Sequence, residues 1–551
     1  MSPRSARCLG AALLLWLAVP WPARGAADAG PADFGAAIYR RGVLPAGQAL
    51  VAGREGGTGA QGREAACANC HGRSGLGAGE GRATVPPVTG RYLMRPLPEM
   101  GGDRDIPYVP GMRSYRAPYD DATLARAIRE GLDSQGRPLN YLMPSYALDD
   151  AQMASLIGYL KRLDERRVPG AGDTTLDFAT IVTPDADPVK RRAMLDVLTQ
   201  FFADSNARQM VAPARMFSSG QAARAKSMFR VHRRWVLHVW ELSGAPATWR
   251  AQLQRRLAAE PVLAVVSGLG GADWAPVHEF CEQAAVPCLF PNVEAPVDQD
   301  GDFYSLYFSG GVLLEAGLLA HALADADARP AAQRVVQILR QGDSGAAGAA
   351  ALAGQLRRAG VVSTRQVIAR DAPAQAVARA VRAAAGADAI VLWLRAADLA
   401  ALGPPPAAPT AVYLSGLMGG LEGAPLPPGW RDLAHMAYPF DLPDKRRVRV
   451  DFALGWFAIR RIPVQAQQVQ ADTFLACGLL AETLNHMADA LSRDYLIERL
   501  DDMIERRVVT GYYPRLTLGP GQRFASKGGY VVRFVEPGGT RVAAERDWIV
   551  P

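Results

Sequence analysis

The chain has 551 residues, 49% of them hydrophobic and 21% charged, with a formal net charge of +7. That length exceeds one ordinary domain and sets an expectation of two or three. A mild positive balance with no basic stripe interleaved with aromatics excludes a nucleic-acid signature and suits docking to acidic redox partners.

Residues 1–27 read as a secretory signal peptide. Arg4 and Arg7 give a basic start, Leu9 to Val19 an apolar core, and Ala23, Gly25, Ala26 and Ala27 small residues for cleavage. The apolar run is too short to span a bilayer as a helix. Cys8 precedes it and is expected to leave with it. No later stretch is apolar for long enough to act as a membrane anchor. A first helix is expected near residues 32–42, where Gly35 and Tyr39 lie four apart and the glycine lets a second helix cross closely.

Cys67-Ala68-Asn69-Cys70-His71 follows. Two cysteines three positions apart, with histidine directly after the second, form the c-type haem attachment pattern. Both thiols reach the vinyl groups on one edge of a porphyrin, and the histidine then lies below the ring with an imidazole nitrogen for iron. A zinc site needs a second ligand pair, and no later CxxC or HxxxH exists. A thioredoxin-like CxxC sits between a strand and a helix, whereas these flanks are rich in glycine, with Gly59 and Gly62 before and Gly72, Gly75 and Gly77 after. The chain has only six cysteines and seven histidines, so chance is a poor explanation. Covalent haem and an export signal agree on the periplasm of a bacterium.

Further along, Leu142-Met143-Pro144-Ser145-Tyr146 offers a thioether on an extended segment. A methionine ligand favours Fe(II) and raises the potential, as electron transfer requires. Met143 is the expected second axial ligand, with Met94, Met100, Met112 and Met153 as competitors. A helix is expected from Asp149, with Gln152 in the capping-box place and Met153, Leu156, Ile157, Leu160 and Leu163 on one face. Pro169 and Gly170 stop it.

On these pieces, residues 34–164 resemble a class I c-type cytochrome domain. The resemblance implies a small all-α fold over 28–168, in which the first and last helices cross at the glycine. It implies one covalent haem c on Cys67 and Cys70, with His71 and Met143 as the axial ligands of its iron. A proline carbonyl, from Pro86 or Pro87, would receive the second imidazole N–H. Iron held from both sides has no vacant position for substrate, so an electron carrier is expected rather than an enzyme.

Residues 169–175 read as a linker, and from 176 to 551 the pattern turns to alternating strands and helices. Strands are expected at 178–182, 235–240, 262–266, 286–290, 334–339, 366–369, 389–394 and 411–414. Helices are expected at 188–206, 249–257, 275–285, 312–324, 346–359 and 374–385. A long helical stretch over 468–507 precedes strands at 512–518 and 529–534. Such alternation implies an α/β domain with parallel sheets covered by helices.

The order resembles a type 1 periplasmic solute-binding protein of the branched-chain amino acid class. Val265-Val-Ser-Gly-Leu-Gly-Gly271, Val286-Pro-Cys-Leu-Phe-Pro291 and the closing Thr510-Gly-Tyr-Tyr segment carry the likeness. It implies two lobes, three chain crossings and a ligand cleft, with Ser267, Gly268 and Gly270 at the edge of lobe one and Ser415 as the counterpart in lobe two. Glycine-rich turns after strands expose N–H groups that can hold a carboxylate or phosphate. Met210 to Ser219 departs from the family's usual Asn-Ala-Ala-Gly-Gly type of run, which puts amino-acid recognition in doubt. Cys281 and Cys288 form a disulfide or fill the core, and Cys477 is expected to be buried and inert.

Together these features describe a periplasmic monohaem cytochrome carrying single electrons, fused to a domain that binds a small molecule or docks a partner. The redox partner expected is a periplasmic dehydrogenase or a respiratory cytochrome. Two rivals stand beside this reading: a solute receptor for a membrane permease with accessory haem, and a haem subunit of a dehydrogenase.

Overall fold

The structure is a computed structural model that describes residues 31–53, 59–77, 79–80, 83–95, 97–98, 114–163, 168–215, 233–324, 332–405, 410–487, 490–519, 521–536 and 538–551. The expected signal peptide, Met100, Met112 and the segment from Met216 to Ser219 lie outside the described residues. The chain divides into two compact units. One takes residues up to 71, 77–97 and 116–164; the other takes 72–76, 98–115 and 165–551.

The first unit holds helices α1 (Pro31–Arg41), α2 (Ala68–His71), α3 (Gly90–Leu93), α4 (Asp121–Glu130) and α5 (Asp150–Arg162). α1 crosses α5 at Gly35, where a Cβ would stand 2.2 Å from the Ser155 carbonyl oxygen. The rings of Tyr39 and Tyr159 meet beside the crossing at 5.4 Å. α5 starts as expected: Asp149 accepts from the Gln152 N–H, and Gln152 returns the bond. Its apolar face of Met153, Leu156, Ile157 and Leu160 is buried, each side chain contributing roughly 1.5–3 kcal/mol.

The unit is not purely helical. Val51–Gly53 pairs antiparallel with Ala60–Gln61 and with Ser145–Tyr146, and Gly79–Glu80 pairs with Ala83–Thr84. The glycines beside the CxxCH favour turns over continuous helix: Gly62, Gly72, Gly75 and Gly77 all take positive φ.

The second unit has two lobes. The first carries a parallel five-stranded sheet in the order Ser305–Leu306, Cys288–Leu289, Ala264–Val266, Thr175–Val182, Arg234–Glu241. The second carries seven strands in the order Val362–Ile368, Arg334–Arg340, Ala389–Trp393, Ala411–Ser415, Ala434–Tyr438, Tyr530–Phe534, Val542–Ala544. The first five of these are parallel and the last two antiparallel. The chain leaves lobe one after Leu306, returns through the Gln467–Met487 helix, which packs on Pro188–Arg215 and on Arg493–Ile504, and leaves again to form Tyr530–Phe534.

Three details differ from expectation. The stretch 468–507 is two helices, the second capped by Ser492, which accepts from the Tyr495 N–H. Residues 512–518 are a crossing rather than a strand, with Pro514 denying the segment one ladder donor. The strand Ala434–Tyr438 and the helix Pro443–Arg460 were not anticipated.

Candidate functional site

In the first unit α2 carries Cys70 and His71, and Cys67 directly precedes it on the same turn; the His71 N–H donates to the Cys67 carbonyl at 3.0 Å. The ring Nδ1 of His71 lies 3.0 Å from the Pro86 carbonyl oxygen. A carbonyl only accepts, so Nδ1 carries the proton and Nε2 keeps its lone pair. Burial holds the His71 pKa below its ordinary value, although the Pro86 carbonyl opposes this. The ring is therefore neutral, as a metal ligand must be. Cys67, Met94 and Met143 rest, half-buried, on the apolar cluster built from α1, α4 and α5.

Met143 ends a turn in which its N–H donates to the Asn140 carbonyl at 2.9 Å, just before the strand Ser145–Tyr146. Met153 is packed in the core, 2% exposed, and has no room to turn outward. The donor set fits a covalent haem: two thiols and a neutral imidazole on one turn, with an oriented ring and a partly buried thioether on a separate segment. Cys67 and Cys70 would carry the thioether links, and His71 and Met143 the axial bonds.

In the second unit Cys281 and Cys288 are joined in a disulfide. Cys477 is fully buried, and burial raises its thiol well above the ordinary range. A cavity of about 530 Å³ lies between the lobes, lined by Gly270 and Gly271 from the expected turn and by residues of all three crossings.

The other expected cleft residues do not line it. Ser267 is fully buried, with its Oγ at 2.8 Å from Thr473 Oγ1 and accepting from Asn292 Nδ2 at 3.0 Å. Gly268 is where the Trp274 ring and the Ile181 carbonyl close on the backbone, leaving no room for a Cβ. Ser415 is also buried. It caps the Gly416–Gly419 turn and bonds to Glu315, whose carboxyl is pushed up to about 8 by burial.

Most of the turn's N–H groups are also spent within the protein. The N–H groups of Ser267, Leu269 and Gly270 donate to carbonyls. Those of Gly271 and Ala272 donate to Thr183 Oγ1 at 3.0 Å and to Asp185 Oδ2 at 2.9 Å. Asp185 thus supplies the carboxylate that the turn was expected to take from a ligand.

Sequence reasoning missed the charged lining. Arg395 forms paired bonds to Glu294 at 2.8 and 2.7 Å and to Asp343 at 3.0 and 2.6 Å. Burial lowers the Arg395 pKa, but Asp343 and Glu294 outweigh it, and the group stays firmly charged. Asp472, on the Gln467–Met487 helix, accepts through Oδ2 from Gln468 at 2.6 Å and from Tyr513 at 3.0 Å. Burial pushes its pKa up to about 7. A lone carboxylate within Val469-Gln-Ala-Asp-Thr-Phe-Leu475 was the signal that could have found it.

Residues 58–164 match the sequence profile of the cytochrome c family. The second unit shares its fold with type 1 periplasmic binding proteins. A fatty acid ABC transporter substrate-binding protein from Thermomonospora curvata aligns over 70% of this chain and 95% of its own, at 14% identity and a TM-score of 0.50. A substrate-binding periplasmic protein from Ralstonia solanacearum aligns over 67% and 99%, at 14% identity and a TM-score of 0.48. At that identity the likeness speaks to fold alone. A comparison with curated proteins found no match in sequence. The chain therefore joins a cytochrome c domain to a type 1 periplasmic-binding-protein fold.

Proposed function

We propose that this chain is an exported monohaem c-type cytochrome that passes single electrons, with a fused domain that holds a small molecule between two lobes. The observation that carries the reading is the Cys67–Cys70–His71 turn with His71 oriented by the Pro86 carbonyl. When bound, haem c supplies a reversible Fe(III)/Fe(II) couple. The protein's part is to tether the ring through Cys67 and Cys70, fix the imidazole tautomer through Pro86, and offer the Met143 thioether on the other side. Both axial positions are then filled by the protein, which leaves none for catalysis, so the chain is a carrier and not itself an enzyme. A periplasmic dehydrogenase or respiratory cytochrome would be its redox partner.

The export signal in 1–27 and the periplasmic character of the fold's relatives support a periplasmic setting. No described helix is long and apolar enough to cross a membrane. Adding carbon monoxide to the reduced protein tests the closed coordination sphere. An unchanged Soret band is expected. A shifted band would mean an open iron position and would favour catalysis over carriage.

A further inference from the structure

Given that the second unit holds a small molecule in its cleft, the lining specifies the chemical class. The guanidinium and turn donors best suited to an anion are largely engaged. In the turn Ser267–Ala272 the N–H groups of Ser267, Leu269, Gly270, Gly271 and Ala272 are spent as described above, and Arg395 gives four of its five N–H groups to Glu294 and Asp343. Arg340 gives Nε and one terminal nitrogen to Asp398 and the other to the carbonyls of Ala369, Arg370 and Ala372. Of the other cations in the lining, Arg370 is exposed, and Lys190, half-exposed, lies 3.5 Å from Glu294.

Acceptors are in surplus. Five carboxylates line the cavity against four cations, and Arg340 is answered by Asp398 from outside the lining. Asp472 stands apart from the other four. It is 3% exposed, and its Oδ1 has no hydrogen-bond partner among the described residues. An unpaired buried acceptor is destabilising, more so when charged, and a donor from a ligand removes that penalty. Around it the lining is apolar and aromatic. The Tyr513 ring lies 5.5 Å from Phe308 and 5.5 Å from Phe440. Aromatic faces attract cations and repel anions.

We propose that the cleft takes a small organic ammonium compound with a non-polar body, one N–H donated to Asp472 Oδ1 and the body set against Phe308, Phe440 and Tyr513. A free amino acid fits less well, because the guanidinium and turn donors that would take its carboxylate are largely spent.

Isothermal titration of the full-length, haem-loaded protein tests this with 2-phenylethylamine, cyclohexylamine and 3-methylbutylamine. The shape-matched controls are 2-phenylethanol, neutral, and 3-phenylpropanoate, anionic. At least one ammonium compound should bind, with both controls weaker by about tenfold or more. Asp472→Asn, which keeps an acceptor for Tyr513 and Gln468, should weaken that binding by a similar factor or more. Equal or tighter binding of either control overturns the ammonium class while leaving a small-molecule cleft. Full ammonium affinity in folded Asp472→Asn overturns the role of Asp472. Silence from all five compounds counts against both the class and the small-molecule reading. The comparison among compounds needs only wild-type protein, so it survives a variant that fails to fold.

Discussion

A single carbonyl decides what His71 can do. With Nδ1 facing Pro86 O at 3.0 Å, the ring offers Nε2 and no other nitrogen to a metal. Among the described residues, the second ligand is a choice between two thioethers on the same apolar cluster, Met94 and Met143. Met143→Ala should abolish the charge-transfer band that thioether-bound ferric haem shows at the red end of the spectrum and lower the potential, whereas Met94→Ala should leave both intact. The reverse pattern would move the assignment to Met94.

Asp472 gives a prediction with a sign. Its folded pKa of about 7 lies above the ordinary 3.8 because burial penalises the charge. Below about pH 4 it is protonated whether the chain is folded or unfolded. As pH rises to about 7 only the unfolded chain gives up the proton, so the native state is penalised by up to about 1.4 kcal/mol per unit. Asp472→Asn should therefore gain stability relative to the parent across that window and no further above it, as read by urea unfolding. A gap independent of pH would show that Asp472 ionises freely in the folded protein. The haem turn was legible in the sequence because its chemistry is packed into five consecutive residues. Asp472 was not, because Tyr513 comes from 41 positions away.

At the level of elements, periodicity located most helices and strands, and the misses share a cause. Ala434–Tyr438 contains His435 and breaks the apolar run, so only its pairing with Ala411–Ser415 on one side and Tyr530–Phe534 on the other makes it a strand. The Ser492 cap that divides the last helical stretch is a local event inside a pattern that otherwise reads as continuous. The crossing of α1 and α5 was legible from Gly35 and Tyr39, because close helix approach needs a missing side chain. Gly35→Val places new atoms against the Ser155 carbonyl, backbone that cannot turn aside. A loss of about 1–3 kcal/mol or more is expected in denaturant unfolding followed by the haem absorbance. An unchanged midpoint would show that the two helices can separate without cost.

For the whole molecule, the parallel α/β architecture of the second unit follows from pattern, but the strands of the first unit and the character of the cleft do not. Arg395 meets Glu294 across 101 positions and Asp343 across 52. No spacing rule reaches that far. The glycine turn that reads as an anion cradle is instead filled by Asp185. The family likeness thus carries over at the level of architecture, while the ligand chemistry belongs to this chain.

The central claim is that one haem is tethered to Cys67 and Cys70 in the first unit. The most direct measurement is the alkaline pyridine spectrum of protein exported and matured in a host with the haem attachment machinery, taken before and after acid–acetone extraction. One c-type haem per chain that resists extraction is the expected result, and its loss in the Cys67→Ser, Cys70→Ser double variant should follow. A matured preparation without porphyrin absorbance, or with haem that extracts freely, would contradict it.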